Sequence, residues 1–390
     1  MTRTTEEPGA IEEFSLLGGP LYKLGYRLGL VQEGTNTTRM GLVLGALLWT
    51  VLVALAFIVG RGQRLFSLEA IGAHVRLLLV IPLFFLCESW LAPRATTFVS
   101  MIAGSGVVTR NALPALESEI SRIRRWKDSW LPEVVCLLVA ALLSMFASDL
   151  PLEGATEAYD PRRVNGITFA GLWYWIVCMT VFRFLILRWL LRLGLWSYFL
   201  WRVAKLDLDL VPIHPDRAAG LGYLEVVHMH FTPLVLAISA VECASYAEEI
   251  SSHTMSFEAI YPALALVLVA DAVLFLGPLF VFYPKLWSCR VKGLSDYMSF
   301  AESYVRSFDR KWMRGGSAPP EPLLGTQDLQ ALADLSTSTN VVRNMRVVPV
   351  SRRLLLGLAI PALVPVLPLL LLKYPIGDLI QKFFARLTGL

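Results

Sequence analysis

Seven stretches of the chain run apolar without a strong turn signal, near 40–60, 72–92, 131–149, 167–187, 233–250, 259–284 and 354–372. Each is long enough for a helix across a hydrocarbon core about 30 Å thick. Helices are the expected element, because lipid cannot satisfy backbone donors and acceptors. The pattern predicts an all-α, polytopic transmembrane bundle of about seven spans, with interfacial and cytoplasmic helices. The last stretch is interrupted by Pro361, Pro365 and Pro368, which fit either a kinked crossing or a re-entrant hairpin. Beyond it Ile376, Leu379, Ile380, Phe383, Phe384 and Leu387 recur at three- and four-residue spacing, the mark of an amphipathic surface helix. A crossing puts that tail outside; a hairpin keeps it in the cytoplasm.

Between these stretches the polar segments divide the chain. Residues 1–39 form an N-terminal segment. Residues 40–285 hold six spans with substantial loops at 93–130 and 188–232, 286–353 is a helical loop, and 354–390 is the last span with its tail. In 93–130, Leu116, Ile120 and Ile123 share a helical face beside the basic cluster Arg122, Arg124, Arg125 and Lys127, which suits anionic headgroups. The run Trp189, Leu190, Leu193, Trp196, Phe199, Leu200 and Trp201 reads as the fourth helix continued along the interface. Gly293 to Met313 reads as one helix, 315–322 as a linker, and Thr326 as the N-cap of a further helix. No fixed-period repeat or inverted-repeat symmetry is found.

Charge then orients the bundle. The N-terminal segment and the even-numbered loops carry 26 Lys and Arg, the opposite side 7. This asymmetry predicts a cytoplasmic N-terminus. Mean hydropathy is +0.58 and 17% of residues are charged, against about a quarter in soluble domains. The net charge of +4 sits in particular loops and gives no nucleic-acid signal. Cys87, Cys136, Cys178, Cys243 and Cys289 lack zinc-ligand spacing and are expected as free thiols. No cleavable signal peptide is expected, since Glu6, Glu7, Glu12 and Glu13 precede the first span.

Orientation assigns depth to the polar residues within spans. Glu88, Glu133 and Arg183 fall toward the inner ends of spans two, three and four, where Arg183 is expected to pair with Glu88 or Glu133. Glu242 and Asp271 fall nearer the midplane and are expected to be carried protonated. A structural clasp and part of an ion path are both open readings for the inner three, and Asp271 is the stronger functional candidate. Gly41 and Gly45 are spaced for close helix packing.

The most distinctive polar stretch is 206–222, where Pro212 and Pro215 flank His214. Asp216 is placed to cap a short helix, and Thr232-Pro233 to open span five. His214, Asp216, His228 and His230 form a candidate metal or interface site, since imidazole and carboxylate suit a divalent metal. No known metal spacing is matched, so a rigid connector is preferred and no cofactor is expected.

At these residues the chain resembles a family of bacterial multi-pass integral membrane proteins to which no activity is assigned. The stretches are LLGGPLYKLGYRLGLV at 16–31, HVRLLLVIPLFFLCE at 74–88, VPIHPDRAAGLGYL at 211–224 and LLGTQDLQALADL at 323–335. The resemblance implies an inner-membrane location and brings no catalytic residue. The polar residues favour a channel or transporter for a small ion, proton or solute. The alternatives are a non-catalytic component recruiting a cytoplasmic partner and a membrane-embedded metal-dependent enzyme. Expected partners are the bilayer and anionic headgroups, and a homo-oligomer is compatible with the sequence.

Overall fold

A computed structural model describes residues 18–27, 29, 37–60, 62–146, 169–252, 258, 260–314 and 326–373. The described residues are helical apart from turns and one isolated bridge, Val108 to Leu208. We name the main helices α1 (Pro20–Arg27), α2 (Thr38–Ile58), α3 (Leu68–Gly104), α4 (Leu113–Asp128), α5 (Trp130–Phe146) and α6 (Phe169–Lys205). After them come α7 (Tyr223–Ser251, interrupted at His230 and Phe231), α8 (Ile260–Trp312), α9 (Gln327–Arg343), α10 (Arg352–Leu363) and α11 (Val366–Lys373).

Five helices (α2, α3, α6, α7 and α8) are long and apolar enough to cross a membrane, and α4 with α5, bent by 46°, makes a sixth. The chain is thus a multi-pass, all-α membrane protein. The expected count of about seven is reached only with the broken pair α10–α11, whose two pieces are too short to count singly. That pair keeps company with α7 along its length. Thr232 donates to Gly357 O, Ser239 donates to Ala362 O, and Cys243, Tyr246 and Ala247 pack with Val366 and Leu369. Partners advance in the same direction on both elements, which is the pattern of a kinked crossing as far as Lys373 rather than a hairpin.

The helices outrun the apolar stretches that announce them. α3 and α6 each hold 37 residues, or about 55 Å at 1.5 Å per residue, and α8 holds 53. Residues 93–104, expected in a loop, therefore continue α3 through Pro93. Trp196, Phe199 and Leu200, expected at the interface, are buried in the core. The Gly293–Met313 helix is the far part of α8, and it pairs with α9, whose N-cap is Thr326 as expected. The expected linker 315–322 and the amphipathic tail 376–387 lie outside the described residues.

Small residues bring the helices close, as lipid supplies no hydrophobic drive between them. A Cβ on Gly45 would collide with the Leu77 carbonyl, and one on Gly41 with the Phe85 ring. Thr37, at the N-cap of α2, donates to Phe85 O at 2.9 Å. Trp49 Nε1 donates to His74 Nδ1 at 2.8 Å. α7 is central, touching α3, α8, α10 and α11.

Candidate functional site: the intramembrane ionisable residues

At the end of the bundle that carries the basic loops, four charges are buried together. Arg188 and Arg192 are one turn apart on α6 and share a face. Arg188 Nη1 donates to Glu88 Oε2 at 3.0 Å and its Nε to Glu133 Oε1 at 3.0 Å. Arg192 Nη2 donates to the other Glu88 oxygen at 2.8 Å. Both guanidiniums also donate to Gly18 O at 3.3 Å. Glu133 Oε2 accepts from Leu21 N at 3.0 Å, in the first turn of α1, where a helix favours a carboxylate. The cavity beside Glu88, Trp189, Arg192 and Phe231 has a volume of 10 Å³, scarcely room for one water. Two acids and two bases make a closed, neutral clasp among α3, α5, α6 and the start of α1.

The acids of this clasp are those expected; the base is not. Arg183 Nη1 donates to Ser144 Oγ at 2.7 Å, and its guanidinium lies 5.9 Å from the Trp175 ring centroid. Arg188 and Arg192 take the place that the sequence pattern gives to Arg183. Ending the fourth span at 187 placed both of them on a stretch expected along the interface, whereas that stretch of α6, which runs to Lys205, packs into the core.

Toward the opposite end a second buried set gathers. Arg76 Nη1 donates to Tyr174 Oη at 2.9 Å and Nη2 to Ser245 Oγ at 3.0 Å. Glu248 Oε1 accepts from Gly72 N at 2.6 Å. Arg76 and Tyr174 each lie in a π-helical stretch, Val75–Val80 and Trp173–Cys178. Such widened turns recur at functional sites. Arg76 was visible as a charge inside an apolar run. Tyr174, Ser245 and Glu248 gave no signal, because their meeting depends on how three separate helices are rotated.

Glu242 and Asp271 lie between the two sets. Asp271 is 7% exposed on α8, a helix of whose apolar window only 17% is buried, so the carboxylate faces inward from a peripheral helix. Its Oδ2 is fully buried with no hydrogen-bond partner among the described residues. Asp271 interacts electrostatically with Glu242, and Glu242 in turn with Arg76 and Glu249. Glu242 opens into a cavity of 240 Å³ among α3, α6, α7 and α8.

The four residues of the candidate metal site are not brought together. His228 is wholly buried. Trp196 Nε1 donates to its Nε2 at 3.2 Å, which leaves Nδ1 to donate to Phe275 O at 2.6 Å. His230 Nδ1 bonds Val226 O at 2.7 Å, and His214 Nδ1 lies 2.8 Å from Asp216 Oδ1. His228 is on α7 and His230 at the break within it, so they face apart. No group of three metal-ligating side chains occurs among the described residues.

Asp216 is the hub of a loop rather than a helix cap. Its carboxylate accepts from Ala218 N at 2.8 Å, from Gly220 N at 3.1 Å and from Gly222 N at 2.7 Å. These bonds hold Arg217 and Ala219 at φ of 57° and 55°, a left-handed geometry that side-chain-bearing residues rarely adopt. Burial opposes the Asp216 charge, but the three N–H groups and His214 outweigh it and hold its carboxyl below the usual value. Arg346 bolts the loop to 345–351, donating to Asp216 O at 2.9 Å and to Glu225 Oε2 at 2.6 Å. The helix after the break begins at Thr232, one residue before the expected start, and Thr232 Oγ1 donates back to Met229 O. The preferred connector reading of this stretch fits these bonds. Comparison of the chain with protein-family models, curated proteins and solved structures finds no match.

Proposed function

We propose that the chain is a bacterial inner-membrane transporter or channel for protons or small cations, with Asp271 and Glu242 as its intramembrane ion-holding pair. The observation that carries this reading is the Asp271 Oδ2 atom, buried without a donor among the described residues. Leaving such an atom unsatisfied costs about 1–3 kcal/mol; a bound cation supplies the missing partner, and a bound proton cancels the buried charge. Ionisable residues at this depth are expensive and mark ion and proton routes in membrane proteins. From Asp271 the series Glu242, Arg76, Glu249 and Glu248 leads toward the end opposite the basic loops. The clasp at the basic end is neutral and closed, so it serves as the fixed support of the bundle.

In this reading the N-terminus and the basic loops face the cytoplasm, as the charge asymmetry requires. The surface hollow at Arg122, Arg125 and Trp126 then lies at headgroup level and takes anionic lipid.

The test is flux. Protein reconstituted in liposomes with an internal pH dye, under a potassium diffusion potential, is expected to pass protons or sodium. Asp271→Asn is expected to reduce that flux to the level of empty liposomes. A hydrophobic carbodiimide, to whose central carbon a protonated carboxyl in apolar surroundings adds, is expected to modify Asp271. Undiminished flux in Asp271→Asn overturns the proposal.

A further inference from the structure

The cavity beneath Glu242 has a composition that the ion path alone does not require. It runs along α7 from Leu234 to Glu242, about 12 Å by helical rise. Its walls are otherwise apolar and include Phe84, Phe182 and Trp189. The Phe84 and Phe182 rings stack, with centroids 6.3 Å apart and planes at 22°. Leu274 closes the α8 side, three residues from Asp271 and so on the same helical face. Glu242 is the one charged residue on this lining, and it makes no hydrogen bond or ion pair with the described residues. The charged groups that act on it are Arg76 from α3, Glu249 on α7 and Asp271 on α8.

An apolar, aromatic slot with one carboxylate at its end suits one class of molecule. That class is a slender organic cation, with an apolar body along the slot and its positive group at Glu242. A volume of 240 Å³ is below that of drug-sized sites, so the body is small. An acyl chain would fill the length of the slot and offer no partner to Glu242. We propose that this cavity binds small amphiphilic organic monocations, such as arylalkylammonium ions, with Glu242 as the counter-ion. This rests on the reading of Glu242 as an ion-holding residue and names the class of ion.

The test uses the full chain in phosphatidylcholine nanodiscs, with empty discs subtracted. The probes are 3-phenylpropyltrimethylammonium, neutral 3-phenylpropanol and anionic 4-phenylbutyrate. Saturable binding of the cation is expected, displaced by neither of the other two. In Glu242→Gln it is expected to weaken about 30-fold or more, the loss when one partner of a buried charge pair is neutralised. Glu242→Asp is expected to retain part of the affinity. Ile238→Trp, which fills the slot and leaves the carboxylate, is expected to abolish binding. Equal affinity in wild type and Glu242→Gln, displacement by the alcohol (acyl-type occupancy only), or no binding to wild type overturns the proposal. Binding that depends on Glu242 in a protein that passes no ions supports the site and removes the transport reading.

Discussion

Replacing Arg188 by Met tests the clasp directly. The substitution keeps an unbranched apolar stem and removes one of four mutually compensating charges. Glu88 keeps its 2.8 Å bond to Arg192, but Glu133 loses the guanidinium bound to Oε1 and retains the Leu21 N–H on Oε2. The site is left with one excess negative charge, and Glu88 and Arg188 are both 3% exposed in their side chains, so water does not screen the loss. Breaking a buried pair in this way costs about 3–5 kcal/mol. Arg188→Met combined with Glu133→Gln restores neutrality around the surviving Glu88–Arg192 pair. It is expected to recover more than half of that loss, which a double-mutant cycle reads as coupling. The assay is reversible unfolding of the purified protein in mixed micelles with increasing SDS, followed by circular dichroism. A loss below about 1 kcal/mol, the range of solvated pairs, would refute the closed clasp.

Four further outcomes follow from the geometry and the charge asymmetry. Gly45→Ala places a methyl against the Leu77 carbonyl and is expected to cost about 1–3 kcal/mol, whereas Gly194→Ala, with open space around it, is expected to be neutral or stabilising in the same unfolding assay. Asp216→Asn puts an NH₂ group where one oxygen accepts backbone N–H groups and is expected to destabilise by about 1–3 kcal/mol, so the tolerance expected of a simple cap is replaced by sensitivity. Because the folded carboxyl of Asp216 is held below its unfolded value, its contribution is full above about pH 4–5 and fades as the pH falls through the folded value; hydrogen exchange at Gly220 and Gly222 should quicken there, and a flat acid profile would contradict the hub. In a cysteine-free background, Glu69→Cys is expected to react with an impermeant maleimide from outside intact cells and Ser299→Cys only after lysis; the reverse pattern would overturn the orientation.

Several features of the molecule were legible from order along the chain alone. Apolar length located α2, α3, α5, α6, α7 and α8, since the cost of placing a segment in lipid is nearly a sum over its own residues. Gly41 and Gly45 announced a close helix contact. Thr326 marked a helix start, and Glu88 and Glu133 were legible as acids meeting at the basic end, grouped there with Arg183 as either a clasp or part of an ion path, whereas they meet Arg188 and Arg192. In the double-proline stretch around His214, Asp216 plays a different part from the one its spacing suggested, since its carboxylate binds three backbone N–H groups of the loop.

What the sequence by itself determined is therefore the class of solvent and most of the helical elements. Both depend on quantities local to one segment. Only the tertiary structure decided which charges meet. Arg183 and Arg188 are five residues apart on α6, about 140° around the helix beyond one full turn, and either could face Glu88 until the rotation of α6 against α3 and α5 is fixed. The π-helical stretches at Val75–Val80 and Trp173–Cys178 shift that rotation further and bring Arg76 to Tyr174. The slot under Glu242 likewise exists only once α3, α6, α7 and α8 are brought together, each placing side chains on its wall. Rotation and spacing of helices are set by the packing of all of them at once, and no single apolar stretch records them.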